Sequence, residues 1–302
     1  MMRTMGDRRP LFVAVMLLIF SVSTAACGAD VEGGDQGVPL SSVDASADVD
    51  PETGTVVLPV ERFLMTRAET HLVDTASQAV FDQCVRDHGY EVNPTPVVTD
   101  TEGDRRYGTW LVQEAELYGF APPSVGRGEG MPGTAPVRPR DSDGHPIFPP
   151  GDVRNADLDV ILECREIPEV LRFVTHSIEP AFDYGAEIGP LMDEALGSSE
   201  GKRVFADWEA CLEEHGLERD ESRSPYSIRG ATMDVTEQNI AMALVDVRCK
   251  SDVELVQRLA DLEAELQAPV VARYFKELTA MRAEYDAVLE DARAFLASDA
   301  VP

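Results

Sequence analysis

The chain has 302 residues, with 55 Asp and Glu against 26 Lys and Arg, for a formal net charge of −29 at pH 7. Such a surface repels phosphate backbones and anionic headgroups, which excludes nucleic-acid binding. With 44% hydrophobic residues, the chain can bury a sizeable core in one or two domains.

Arg3, Arg8 and Arg9 give the chain a basic start, the uncharged run Leu11 to Phe20 follows, and the small residues Ser21 to Ala26 lead to Cys27. Basic, apolar and small-residue regions in that order are the marks of a secretory signal. The apolar run is about half the roughly 20 residues that a spanning helix needs. Thr24-Ala25-Ala26-Cys27 can lie extended in a narrow peptidase groove. It resembles the lipobox of bacterial lipoproteins, with Thr24 where that motif usually has Leu. The resemblance implies cleavage after Ala26 and acylation of Cys27, which places the mature chain on the extracytoplasmic face of the cell membrane. Acyl chains contribute about 0.8 kcal/mol per buried CH₂, so two of them anchor a protein without a transmembrane helix. Arg8-Arg9 with Leu11-Phe12 also fits a twin-arginine signal; Pro10 and the strong apolar run favour the general secretory route. Residues 1–26 carry three Arg and one Asp, so the mature chain is more acidic still.

Residues 27–60 are rich in Gly, Ser, Asp and Ala, with no basic residue before Arg62. They read as a disordered acidic tether spanning roughly 30 Å, with Val56 to Val60 docking at its end. Residues 61–197 form a first helical unit. In it Thr66-Arg67-Ala68-Glu69 is a capping box, and Leu72, Val73, Ala76, Val80, Cys84 and Val85 follow at helical spacing before Gly89. A short helix is expected around Trp110 to Tyr118, then a Pro/Gly-rich excursion loop over 120–152, then helices near 156–167, 169–178 and 188–196.

Residues 198–302 form a second unit. Val204, Phe205, Trp208, Cys211 and Leu212 make one stripe of a helix that Gly216 ends. The last element is long, capped by Asp234 and Glu237. It carries an apolar series from Leu255 to Phe295, and Pro269 is expected to kink or split it. Its 278–295 part is heptad-like and suits an antiparallel hairpin or a helical partner.

Phe81-x-x-Cys84-Val85-x-x-His88-Gly89 parallels Trp208-x-x-Cys211-Leu212-x-x-His215-Gly216. Each is followed by a second cysteine on an apolar-acidic helix: Asp159-Val160 with Cys164, and Asp246-Val247 with Cys249. This reads as one helical unit used twice. Four cysteines in an exported body favour two disulfides, with three possible pairings. The repeat favours Cys84–Cys164 and Cys211–Cys249. Leu58 to Phe63, Cys84 with Gly89-Tyr90, Arg105-Arg106-Tyr107-Gly108, Trp208 with Cys211, and Asp246 to Lys250 together resemble a family of actinobacterial secreted lipoproteins. The resemblance implies secretion, lipidation and a helical body, and assigns no activity to a residue.

The remaining motifs weigh little. Cys84/His88 and Cys211/His215 brought together would make a Cys₂His₂ metal site, but oxidising surroundings favour disulfides. Gly128 to Gly133 fits a dinucleotide fingerprint only as letters. Ser199-Glu200-Gly201-Lys202 lacks its companion motifs and reads as a helix cap. Asp141 to Gly144 lacks the later ligands of a calcium loop. Trp110, Tyr118 and Phe120 read as core rather than a contact patch. The expectation is therefore a mainly α protein with two stapled repeats and a long kinked C-terminal helix. It would use no cofactor or metal and act as a non-enzymatic binding or accessory protein of the cell envelope, engaging a partner through the C-terminal helix. A carboxylate-based envelope hydrolase and a Cys/His metal-binding lipoprotein are the alternatives.

Overall fold

The computed structural model describes residues 37–90, 103–123, 158–175, 178 and 182–298. Cys27, the fingerprint-like glycines, the calcium-like turn and most of the excursion loop lie outside them. The body is mainly helical. Its only strands among the described residues are a hairpin, β1 (Asp48–Asp50) and β2 (Thr55–Val57), paired antiparallel with Val49 opposite Val56.

Val56 to Val60 dock on the body as expected, and residues 37–55, assigned by composition to the tether, belong to the body as well. Composition misleads because the many Gly, Ser and Asp residues mask apolar ones that reach the core. Ala47, Val56, Leu58 and Val60 are buried. Asp44 and Asp48 both pair with Arg62, and Asp50 caps the hairpin turn through Thr53. The acidic side chains thus organise local structure instead of solvating a free chain.

Helix α1 (Arg67–Asp87) begins at the expected capping box: the Glu69 N–H donates to Thr66 Oγ1, and the Thr66 N–H donates to Glu69 Oε2 at 2.8 Å. Arg282 donates to the same carboxylate at 2.7 Å, holding the Glu69 carboxyl down to about 2. A carboxyl held lower folded than unfolded stabilises the fold above its unfolded value and loses that contribution as pH falls through the folded one. Glu69→Gln keeps the cap and removes the charge. It should cost up to about 1 kcal/mol at pH 7 and nothing near pH 2, measured by urea denaturation at both pH values.

Helices α2 (Val112–Tyr118), α3 (Leu158–Glu166), α4 (Pro168–Leu171), α5 (Tyr184–Glu187) and α6 (Leu191–Gly197) follow. Then come α7 (Ser199–Glu214), α8 (Glu237–Asp252), α9 (Leu255–Arg273) and α10 (Phe275–Leu296). The cap of α7 is Ser198, which accepts from the Gly201 N–H, and not Ser199. The cap of α8 is Thr236, which accepts from the Asn239 N–H, and not Asp234 or Glu237.

The long last element is three helices. Glu254, with φ 53° and ψ 36°, separates α8 from α9. Pro269 lies inside α9, and the second break falls at Tyr274. Proline removes one helical hydrogen bond, but Ala268, Val270 and Val271 around it are buried, and that packing carries the helix onward. The break leaves the Ala272 carbonyl to the Val38 N–H, which donates to it at 2.8 Å.

One core cluster gathers Leu58, Tyr107, Trp208, Leu212, Ile228, Leu255 and Leu259. A second sets Val73, Ala76 and Val80 of α1 against Leu289 and Ala292 of α10. The apolar stripe of the C-terminal helix is therefore spent inside the chain, chiefly against α1 and not as a hairpin with the helix before it, and it ties the two halves together.

Candidate functional site

Both staples form as the repeat argument favoured. Cys84 of α1 joins Cys164 of α3, and Cys211 of α7 joins Cys249 of α8. The two helix ends that carry them have the same geometry. His88 and His215 occupy the C-caps, and Gly89 and Gly216 follow at φ 86° and 75°. Tyr90 N–H returns to the Val85 carbonyl, and Leu217 N–H to the Leu212 carbonyl, the closure that a left-handed glycine permits. Each imidazole Nδ1 lies 2.9 Å from the carbonyl of the cysteine four residues back. A carbonyl only accepts, so Nδ1 carries the proton in both.

Cys84, His88 and Cys164 form one close group, and Cys211, His215 and Cys249 form another, with the potential ligand atoms of each within 4.8 Å. The four-ligand site imagined from the two Cys/His pairs is thus not assembled. Each pair sits with its own second cysteine. The sulfurs are bonded to each other and offer no thiolate, so in this state the triads serve as staples and caps.

The densest polar cluster is one that motif reading did not assign. The 103–109 segment threads between helices and pins itself by charge. Arg105 donates to Glu114 at 2.8 Å, to Thr109 Oγ1 at 2.6 Å and to the Phe120 carbonyl at 2.9 Å. Arg106 pairs with Glu61. Tyr107 Oη donates to Glu263 Oε2 at 3.1 Å, and Gln267 Nε2 donates to Glu263 Oε1 at 3.3 Å. Beside them, Lys250 Nζ lies 3.0 Å from Asp246 Oδ2 and 2.8 Å from the Thr109 carbonyl, while Trp208 Nε1 donates to Asp246 Oδ1 at 3.0 Å. Asp246 and Lys250 are 0% and 2% exposed.

Burial pushes the Asp246 carboxyl up and the Lys250 ammonium down, and their mutual attraction opposes both shifts. Burial likewise raises Glu263, against the pull of Arg106. Carboxylates in unequal environments are what an acid–base pair would need. Here, however, each is closed off by its own donors: Trp208 and Lys250 on Asp246, Tyr107 and Gln267 on Glu263. The arrangement satisfies buried charge and fixes how the segment packs.

Gly108 lies at its centre with φ 77°, where an added Cβ would stand 2.8 Å from Tyr226 Cβ and 3.0 Å from Lys250 Nζ. Gly108→Ala should therefore cost about 2–4 kcal/mol, combining backbone strain with overpacking. The measurement is the midpoint shift in urea at unchanged slope.

Ser199 to Lys202 form the first turn of α7. Trp110 and Phe120 pack on the main core cluster, as core aromatics should. One concavity is lined by Glu209, Glu213, Glu218 and Glu221, with Arg219 and Arg229. The ion pairs Arg219–Glu209 and Arg229–Glu218 neutralise part of it. Among the described residues, no helix is long and apolar enough to cross a membrane. The chain matches no protein family, no curated protein and no solved structure.

Proposed function

We propose that the chain is a lipoprotein anchored through Cys27 to the extracytoplasmic face of the cell membrane, where it acts as a non-enzymatic binding or accessory protein of the envelope. The observation that carries the reading is the pair of disulfides, in a chain whose first residues read as a secretory signal ending in a cysteine. Disulfides persist in exported proteins and are rare in a reducing cytosol. A second support is the use of the shifted carboxylates, Asp246 and Glu263, in holding buried cations and donors. The partner is an envelope protein engaged by the polar outer face of α10, whose inner face packs on α1. The membership proposed from the quoted motifs, in a family of actinobacterial secreted lipoproteins, agrees with this reading.

Two experiments test it. Metabolic labelling with a fatty acid should mark the native chain and leave Cys27→Ala unmarked; equal marking removes the anchor. Crosslinking in intact membranes should then recover one envelope protein, with capture lost when charges on the outer face of α10 are reversed. Turnover of an envelope substrate that disappears on neutralising a single carboxylate would replace the binding reading with an enzymatic one.

A further inference from the structure

We infer that the corner of the body where α9 gives way to α10 faces the lipid surface, held there by the shortness of the chain behind it. The inference rests on acylation of Cys27. The body begins earlier than composition suggests. Val38 N–H donates to the Ala272 carbonyl at 2.8 Å. The Gly37 backbone lies against the same turn, where an added Cβ would stand 3.0 Å from that carbonyl oxygen. The following 3₁₀ turn, Leu40–Ser42, packs on α9 as well. Three successive contacts therefore fix the chain to the α9–α10 corner from residue 37 onward.

Only residues 28–36 stand between Cys27 and Gly37. In any conformation nine residues reach at most about 3.3–3.6 Å each, roughly 30 Å in all. A tether running to residue 60 could extend more than about 100 Å at the same length per residue; this one keeps the corner within roughly 30 Å of the anchor. The opposite end of α9 is about 30 Å away, at 1.5 Å per residue over the helix and the turn before it.

The surface of that corner suits an interface. Leu40 is 53% exposed. The Phe182 and Tyr274 rings stack at 4.7 Å and are half-buried. Arg273, paired with Glu187, and Lys276 are basic groups at this corner. An exposed leucine, aromatic rings and basic groups at one corner fit the zone between headgroup and water. Elsewhere the strong negative charge opposes approach to anionic lipid over about a Debye length. The tether thus selects this side, Leu40 and the aromatic rings suit it, and the α8–α9 end is left facing away from the lipid.

The test uses the full acylated protein purified from membranes. Ser41 and Ser251 are both exposed; Ser41 belongs to the docked turn, and Ser251 lies beside the far end of α9. The four body cysteines are in disulfides and Cys27 is acylated, so Ser41→Cys and Ser251→Cys each add one reactive thiol for a fluorophore. In phosphatidylcholine vesicles carrying a headgroup nitroxide, the label at 41 should be quenched at least about threefold more than the label at 251. Inserting thirty Gly and Ser residues between Ala29 and Asp30 should erase the difference. Equal or reversed quenching, in protein that carries the acyl mass and floats with the vesicles, overturns the orientation and leaves the lipoprotein reading intact. Absence of the acyl mass overturns both.

Discussion

Asp246→Ala should remove about 3–5 kcal/mol of stability, among the largest losses available to a single side chain in this protein. Among the described residues the carboxylate is the anionic partner of Lys250, and it also accepts from Trp208. Its removal leaves an ammonium that is 2% exposed beside a carbonyl and two aromatic rings. The pair itself is not a large source of stability, because burial opposes both charges. Asp246→Leu with Lys250→Met should therefore be less damaging than Asp246→Ala alone. It should still fall short of the native chain, because Trp208 Nε1 and the Thr109 carbonyl lose their partners at about 1–3 kcal/mol each. The pH dependence gives a second check. In Asp246→Ala the lysine is held below its ordinary value near 10.4 with no anion to oppose it. At neutral pH the unfolded chain then binds a proton that the folded one resists, so stability should rise with pH between 7 and 10. Urea denaturation across that range measures it. A deficit that stays constant would mean that Lys250 reaches water in the variant.

What could be read in advance was what depends on neighbours a few residues apart. Thr66 to Glu69 announced a helix start, Gly89 and Gly216 announced ends, and two matching Cys-x-x-x-His-Gly stretches announced both staples. Those signals act within one turn of helix. The tether reading reaches too far because the fate of Ala47 and the hairpin around it is decided by α9, some two hundred residues later. Pro269 does not split α9, for the same reason: its local cost is real, and the buried residues around it outweigh it. The buried polar cluster was the hardest to foresee. Arg105 to Gly108 look like an exposed polar turn until the helices that supply Glu114, Glu263 and Lys250 are in place. One trace was visible: Lys250 is among only three lysines, four residues after Asp246 and next to Val247 and Cys249. A charge pair at helical spacing inside an apolar run is a sign of burial.

The two disulfides should fail in different ways when removed, although loop closure assigns them similar worth. Sequence separations of 38 and 80 residues correspond to about 4 and 4.5 kcal/mol respectively. Packing separates them. Cys249 is buried in the main core cluster, with Cys211 packed against it, and α7 and α8 are also joined by the Trp208–Asp246 hydrogen bond. The Cys211→Ser, Cys249→Ser variant therefore loses stability globally, by about 4 kcal/mol, with one cooperative transition. At the other staple, α3 is a nine-residue helix whose one buried residue is Cys164, while Leu158 and Leu162 are exposed. So short a helix does not hold without tertiary contacts. Cys84→Ser with Cys164→Ser should free α3 while the Trp208 core stays folded. Hydrogen exchange should then show amides 158–166 losing protection by at least tenfold, with α7 to α9 close to native rates. If α3 stays protected in that variant, contacts with α1 and α4 hold it, and the first staple contributes only through the unfolded chain. One disulfide maintains the core that carries the polar cluster, and the other fastens a peripheral helix whose exposed leucines would otherwise leave the body.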